Sequence, residues 1–290
     1  MGAGRAGAGR CGVETGWRVR IRHSTFVEYE GEAASSYNEV RMTPVDDHRQ
    51  ATLDCSLVIR PATPVWTYRD YWGTHVSVFD VTGGHRTLAI EAEARVDTSP
   101  VRPLAKPLSW DLLRNVSGPV AELLRPTERT TITCGEVGLA QAHGRDPHET
   151  AEAIAWAVHE RVEYVPGATG VLTSAQEAWD QGKGVCQDMA HLTVALMRAA
   201  GLPARYVSGY IHPAADAVIG EPVAGQSHAW VEYWSGEWNA LDPTNRSKVG
   251  ETHVVVARGR DYADVPPLKG IYQGPPAGRQ EVKVEVTRLA

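Results

Sequence analysis

Apolar and polar residues alternate with period two through the first third of the chain. The stretches with this pattern lie at residues 17–22, 36–42, 53–59, 76–78 and 88–96. Alternation of this kind is typical of strands that bury one face. Several short strands separated by turn residues predict an antiparallel β-sandwich over residues 17–98.

The pattern then changes from strands to helices. Three prolines mark residues 99–108 as a linker, and residues 109–290 are predicted to form a second domain. Asp146 and Pro147 fit the N-cap and first position of a helix. A capping box from Ser174 to Glu177 predicts a further short helix.

The stretch from Gly184 to Tyr210 organises this second domain. It predicts a helix that begins at Cys186 and is apolar on most of its circumference, so we expect it to be buried. Gly201 and Pro203 fit its end, and a strand follows over residues 204–210. Because a helix N-terminus carries partial positive charge, a thiol placed there should be reactive.

A second candidate stretch, residues 227–245, reads as two strands around a turn at Ser235 and Gly236. A three-residue loop centred on Ser235 would set His228 directly opposite Asp242. Directly opposed side chains lie within reach of an imidazole–carboxylate hydrogen bond. The expected register therefore pairs these two residues, whereas a two-residue loop would separate them.

Composition limits the classes of partner and compartment. The chain has 290 residues and a net charge of −6 (29 basic against 35 acidic residues), with no basic run. We therefore expect no nucleic acid as partner. We also expect no membrane span and no secretory signal, because no stretch is long and apolar enough. Four widely spaced cysteines indicate reduced thiols and a cytoplasmic location. Residues 1–16, rich in Gly, Ala and Arg, are predicted to be a disordered tail.

Cysteine at a helix start, histidine on a strand and aspartate on the next strand form a nucleophile, base and orienter set. Any long chain contains these residue types, so an inert buried Cys186 is the alternative. Metal binding is the rival chemistry. Cys186 and His191 are five residues apart on a helix, about 140° around its axis, and cannot share one ion. We therefore predict no metal and no cofactor.

Four segments together carry a resemblance to a known family. They are G-V-C-Q-D-M-A-H, G-L-P-A-R-Y-V-S-G-Y, S-H-A-W-V-E and L-D-P-T-N, in this order. The chain resembles the transglutaminase-like superfamily of papain-type fold, and within it the bacterial branch with an N-terminal β-domain. The resemblance implies an α+β protein: an antiparallel β-sandwich followed by helices packed on an antiparallel sheet. It implies Cys186 as nucleophile, His228 as base and Asp242 as orienter.

Other site residues are predicted with their alternatives left open. The backbone N–H of Cys186 should supply one oxyanion donor. Gln176, Tyr164 and Trp179 are candidates for the second.

Trp230 and Trp238 either wall the substrate cleft or pack in the strand core. The predicted substrate-binding residues are thus Gln176, Trp179 and Trp230. Asp188, which matches the C-x-D pattern of the family, either complements the charge of the helix start or takes part in catalysis.

The predicted function is thiol-dependent acyl chemistry at an amide through a Cys186 thioester. Hydrolysis of a protein or peptide by a cysteine peptidase or amidase is favoured, because water as acceptor needs no second binding site. Glutamine transamidation and deamidation share the mechanism and stay open. A peptide-binding module without turnover is the alternative from another class. The oligomeric state is not predicted.

Overall fold

The structure is a computed structural model that describes residues 16–214 and 216–290. The predicted tail and Cys11 lie outside the described residues, apart from Gly16. The strands are β1 Arg18–Ala33, β2 Ser35–Val40, β3 Gln50–Arg60, β4 Trp66–Arg69, β5 His75–Val81, β6 His85–Thr98, β7 Glu163–Tyr164, β8 Lys183–Gly184, β9 Ala204–Ile211, β10 Pro222–Trp234, β11 Trp238–Asp242, β12 Ser247–Lys248, β13 His253–Gly259, β14 Leu268–Gln273 and β15 Ala277–Arg288. The helices are α1 Trp110–Leu113, α2 Gly118–Glu122, α3 Gly135–Ala142, α4 Pro147–Arg161, α5 Ala175–Gln181 and α6 Cys186–Ala199.

The period-two stretches form strands as predicted. In β1 the apolar positions Val19, Ile21 and Val27 are buried while their neighbours are more exposed. β1 pairs with β6, and β6 pairs with β3, all antiparallel. A second sheet has the order β14-β2-β5-β4. Apolar side chains from both sheets, Phe79 and Leu88 among them, meet in one hydrophobic cluster.

The end of the chain returns to its beginning. β15 pairs with β1 from Val19 opposite Arg288 onward, and also with β10. β14 pairs with β2 in the second sheet. A nine-stranded sheet therefore runs from the N-terminal strands into the strands that follow the helices. The sandwich over residues 17–98 and the boundaries at 99–108 remain predictions, but the last two strands belong by hydrogen bonding to the N-terminal sheets.

Helix α6 is the central buried element, as predicted. Every residue from Asp188 to Arg198 is buried. The helix packs against β9 and β10 on one side and against α3, α4 and α5 on the other. Gly201 has φ +84°, the left-handed conformation that ends a helix, and Leu202 N–H donates to the Met197 carbonyl oxygen at 2.9 Å.

A mixed fold with a large antiparallel sheet is thus established, in agreement with the predicted α+β class. In the described part of the chain, none of the helices has the length and apolar character needed to cross a membrane.

Candidate functional site

Cys186 is the first residue of α6 and is partly buried. The preceding residue, Val185, has extended backbone, so the chain turns sharply into the helix. Asp188 is fully buried, and its carboxylate accepts from Val185 N–H at 2.8 Å and from the Thr169 hydroxyl at 2.5 Å. Burial raises the pKa of Asp188, while these two hydrogen bonds oppose the rise. These contacts fit the structural alternative for Asp188, because they anchor the helix start that carries the thiol.

The predicted register of the β10–β11 hairpin is wrong. Trp234 pairs with Trp238 and Val231 with Leu241, so the three-residue loop is centred on Gly236 rather than Ser235. Gly236 has φ +109°, which explains the position of the turn. Asp242 is therefore displaced by two residues from the position opposite His228. Because the displacement is even, both side chains still lie on one face of the sheet and meet diagonally.

The two carboxylate oxygens of Asp242 have different partners. Oδ1 accepts from the backbone N–H groups of Thr244 and Asn245 at 2.9 and 3.2 Å, which closes the turn after β11. Oδ2 lies 2.8 Å from His228 Nε2. One oxygen of this fully buried carboxylate therefore closes the turn, and the other takes the position that the orienter prediction requires.

The electrostatics favour a charged imidazole at His228. Burial lowers its pKa, but the hydrogen bonds and negative charges of Asp242 and Cys186 outweigh burial and raise the pKa to about 9. Burial likewise raises the pKa of Asp242, but its hydrogen bonds to His228 and His253 hold the pKa well below its usual range. Because Nε2 faces Asp242, Nδ1 is the ring nitrogen left for the thiol.

Sequence reasoning missed two residues at this carboxylate. Asn245 Nδ2 donates to Asp242 Oδ2 at 2.7 Å, and His253 Nε2 lies 3.3 Å from the same oxygen. The position of Asn245 in the turn after Asp242 is a signal that could have found it. His253 is the first residue of β13, and only the pairing of β13 with β9 brings it here.

Each of the predicted substrate-binding residues has partners within the protein. The amide of Gln176 accepts from the Thr133 backbone N–H at 2.7 Å and donates to Asp180 at 2.9 Å. The Arg161 guanidinium carbon lies over the indole of Trp179, 5.2 Å from the centre of that ring.

The indoles of β10 and β11 are likewise engaged within the protein. Trp230 is 0% exposed and lies in a hydrophobic cluster with Val45 and Val207, so the strand-core alternative describes it and the cleft wall does not. The Arg205 guanidinium carbon lies over the indole of Trp238, 3.7 Å from the centre of that ring.

Tyr164, one of the three oxyanion candidates, lies near the thiol. β7 pairs with β8, which sets Tyr164 beside Gly184, two residues before Cys186. Burial and the nearby charge of Cys186 raise the pKa of Tyr164. Its side chain also lines a cavity of about 800 Å³ together with His228, Asn245 and His253. Tyr164 and His228 therefore border the same cavity.

Asp242, His228 and His253 are also the described residues whose ligand atoms lie close enough to hold a metal ion. Ligands of a tetrahedral zinc stand about 3.3 Å apart, given Zn–N distances of about 2.0 Å. The 2.8 Å contact between His228 and Asp242 is shorter and fits a direct hydrogen bond. Asn245 also donates to the oxygen that would face the ion. The arrangement is explained by hydrogen bonding.

With its cysteine-bearing buried helix and its imidazole–carboxylate pair, this chain belongs to the transglutaminase-like superfamily. The family model of the transglutaminase-like superfamily matches residues 138–243, which include Cys186, His228 and Asp242. The bacterial transglutaminase-like N-terminal region matches residues 19–97. Members of the family are generally cysteine-dependent enzymes.

Two relatives illustrate the range of similarity. An uncharacterized protein of Mycobacterium leprae is 42% identical over 278 residues, covering 94% of this chain and all of that protein. The protein-glutamine gamma-glutamyltransferase of Pseudomonas aeruginosa is 33% identical over 153 residues, covering 48% of this chain and 22% of that protein.

A solved structure supports the fold over nearly the whole chain. The crystal structure of a putative cysteine protease from Cytophaga hutchinsonii matches with a TM-score of 0.79 and 22% identity. The match covers 96% of this chain and 92% of that one. The superfamily match supports thiol-dependent acyl chemistry as the general class of reaction, whereas the solved structure shows the fold.

Proposed function

We propose that this protein is a cysteine hydrolase that cleaves an amide bond of a protein or peptide through a Cys186 thioester. In this proposal Cys186 is the nucleophile, His228 the base and acid, and Asp242 the orienter. The proposal rests on the 2.8 Å contact between His228 Nε2 and the fully buried Asp242. The nearby thiol of Cys186 also raises the pKa of this imidazole. A buried carboxylate on the far nitrogen fixes the ring so that Nδ1 serves the sulfur.

The reaction proceeds in two halves. The Cys186 thiolate attacks the amide carbonyl carbon, a C–S bond forms, and the oxygen becomes an oxyanion. The C–N bond then breaks as His228 Nδ1–H gives its proton to the leaving amine. In the second half His228 takes a proton from water, the resulting hydroxide attacks the thioester, and the C–S bond breaks to return the thiolate and release an acid.

The oxyanion needs donors placed beside the sulfur. The N–H of Cys186 is one of the backbone groups that an α-helix leaves without an internal partner at its N-terminus. The Tyr164 hydroxyl is the side-chain donor that we assign as second, since its strand lies beside Gly184 and its ring lines the cavity at His228. Gln176 is less suited, because its amide is engaged by Thr133 and Asp180.

Transfer to an amine is the second candidate. The cavity of about 800 Å³ beside His228 has room for an acceptor much larger than water. A lysine side chain bound there would be deprotonated by His228 and would take the acyl group instead. The name of the Pseudomonas aeruginosa relative, a protein-glutamine gamma-glutamyltransferase, agrees with such an acceptor.

Mass spectrometry of a peptide library, incubated with and without a primary amine, separates these outcomes. Hydrolysis gives shortened peptides, deamidation a glutamate in place of glutamine, and transamidation an amine adduct. The matched control is the Cys186→Ala protein under the same conditions. A library left unchanged by the wild-type protein, together with a Cys186 that forms no adduct with a thiol-reactive amide probe, would favour a binding module without turnover.

A further inference from the structure

His253 contacts Asp242 Oδ2, whereas the turn after β11 is closed by Oδ1. The residue is 4% exposed, and its Nε2 lies 3.3 Å from Asp242 Oδ2. Its other ring nitrogen, Nδ1, lies 2.9 Å from the Thr252 hydroxyl oxygen. Both ring nitrogens are therefore satisfied by neighbours inside the protein.

The protonation state of His253 follows from its partners. Burial lowers the pKa of His253 and outweighs the opposing hydrogen bond and charge of Asp242, which favours the neutral ring. An ionised carboxylate only accepts hydrogen bonds. The single ring proton therefore sits on Nε2 and is donated to Asp242, while Nδ1 accepts from the Thr252 hydroxyl. This tautomer is assigned from the hydrogen-bond network.

The two histidines are held in relation to each other by one buried indole. The ring of His228 stacks on Trp230 with centres 6.0 Å apart, and the ring of His253 meets the same indole edge-on at 5.2 Å. Trp230 can lie there because β9 has Gly209 beside it: a Cβ on Gly209 would stand 2.6 Å from the indole and 2.0 Å from the Val254 carbonyl oxygen. The scaffold thus fixes both imidazoles around one oxygen.

We propose that His253 is a positioning residue, which holds Asp242 Oδ2 towards His228 by donating a second imidazole N–H to that oxygen. The inference rests on the proposed function and adds a fourth member to the nucleophile, base and orienter set. Without His253, Oδ1 keeps its two backbone donors and Oδ2 keeps the His228 and Asn245 contacts, but the carboxylate loses one of the donors that fix its orientation. A looser carboxylate stabilises the imidazolium of His228 less, and the thiolate with it.

The negative charges that act on the two histidines come from three segments. Cys186 on α6 and Asp242 on β11 act on His228, while Glu251 in the loop before β13 adds a weaker negative charge near His253. A substitution of His253 should therefore alter the ionisation of the Cys186 thiol through Asp242 and His228. The rate of Cys186 alkylation by iodoacetamide, measured against pH, reports this change without any knowledge of the substrate.

The test compares His253→Phe, which keeps the ring and removes the donor, with His253→Gln, whose amide can donate to Asp242. We expect the alkylation midpoint to rise by about 0.5–1 pH unit in His253→Phe, a loss of several-fold to tenfold in thiolate stabilisation. His253→Gln should recover much of the shift. In the Asp242→Asn background, His253→Phe should add no further shift, since the two residues act on one path.

His85→Phe is the matched control. His85 is buried in the N-terminal strands, where it contacts Ser36 and the Gly83 carbonyl oxygen. Its loss should lower stability and leave the alkylation midpoint in place. A midpoint shift of equal size in His85→Phe, or a His253→Phe shift that adds fully to that of Asp242→Asn, would overturn the proposal.

A metal at these residues is a separate outcome that the same assay detects. If EDTA moved the wild-type midpoint and zinc restored it, His253 would be a ligand and the positioning role would be refuted. The alkylation assay also distinguishes failure of the proposed function from failure of this inference. In that case His228→Ala and Asp242→Asn would leave the alkylation profile unchanged, whereas failure of the inference alone leaves both of those effects intact.

Discussion

Two fully paired carboxylates lie buried within the same sheet, and their partners differ. Glu232 on β10 lies between the guanidinium groups of Arg258 and Arg205, at 2.9 and 2.6 Å. Asp242 on the neighbouring strand faces two imidazoles and an amide. Burial raises the pKa of both carboxyls, and in both the partners reverse this and hold the pKa well below its usual range.

The partners decide what each buried charge does. Guanidinium groups keep their charge at every physiological pH, so the Glu232 cluster is electrostatically fixed. Arg258 also bonds Asp47, and this joins β13 to the loop before β3. Imidazoles gain and lose a proton near neutrality, so the Asp242 cluster can accept and release one. The first arrangement is suited to holding strands together, and the second to moving protons.

Removal of the thiol should have the largest effect on activity. Cys186→Ala should abolish turnover and leave the fold intact, because the partly buried side chain contributes chemistry and little core volume. Product formation and the circular dichroism spectrum measure the two. Cys55→Ala, at an exposed thiol, and Cys134→Ala, at a buried one, are the controls. Activity that survives in Cys186→Ala and disappears in either control would refute the assignment.

Asp242→Asn should have the next largest effect, and it separates the two oxygens of this residue. Asparagine can keep the turn with its Oδ1 and place an amide N–H where Oδ2 now accepts. That N–H faces the His228 proton and favours the wrong tautomer. Turnover should fall by an amount approaching the roughly 10⁴-fold known for serine triads, with substrate binding almost unchanged.

Thiol ionisation provides a second measurement on Asp242→Asn. With the carboxylate charge removed, the midpoint of Cys186 alkylation should move to higher pH. Near-normal turnover and an unmoved midpoint would show that Asp242 only closes the turn.

Glu232→Gln should reverse this pattern, with a large loss of stability and no change in thiol chemistry. Two guanidinium groups would be left in the sheet with reduced compensation, since Arg205 and Arg258 are both largely buried. Breaking a buried pair in this way costs about 3–5 kcal/mol. Denaturant unfolding measures the loss. An alkylation midpoint that moves as far as in Asp242→Asn would contradict the division between the clusters.

The pH dependence of stability should show the smallest of these effects. The pKa of His228 is raised from 6.5 to about 9 in the folded protein. A raised pKa means that the stabilisation is fully present below pH 6.5 and is lost as the pH rises to about 9. The loss should be about 3 kcal/mol. Denaturant unfolding between pH 6 and 10 measures it, and Cys186→Ala should show a smaller fall, because one of the groups that raise this pKa is gone. An equal fall in both proteins would argue against coupling of the thiol to His228.

Local pattern was enough to predict the elements that carry the site. The Cys186 helix, its end at Gly201 and the capping box at Ser174 follow from propensity, burial periodicity and capping, which act within a few residues. The motifs around Cys186, His228 and Asp242 also placed the chain in its family.

Long-range pairing decided the rest. The β10–β11 register differs by two residues from the predicted one, because the turn residues Ser235 and Gly236 did not by themselves identify the centre of the loop. The pairing of β13 with β9 brought His253 to Asp242, and the pairing of β15 with β1 joined the end of the chain to its beginning. For Trp230 the sequence left the cleft wall and the strand core open, and the structure places it in the core, because the sequence does not show which strand covers which face. The sequence by itself thus determined the chemical groups and the local elements, whereas the contacts among distant strands determined which groups meet.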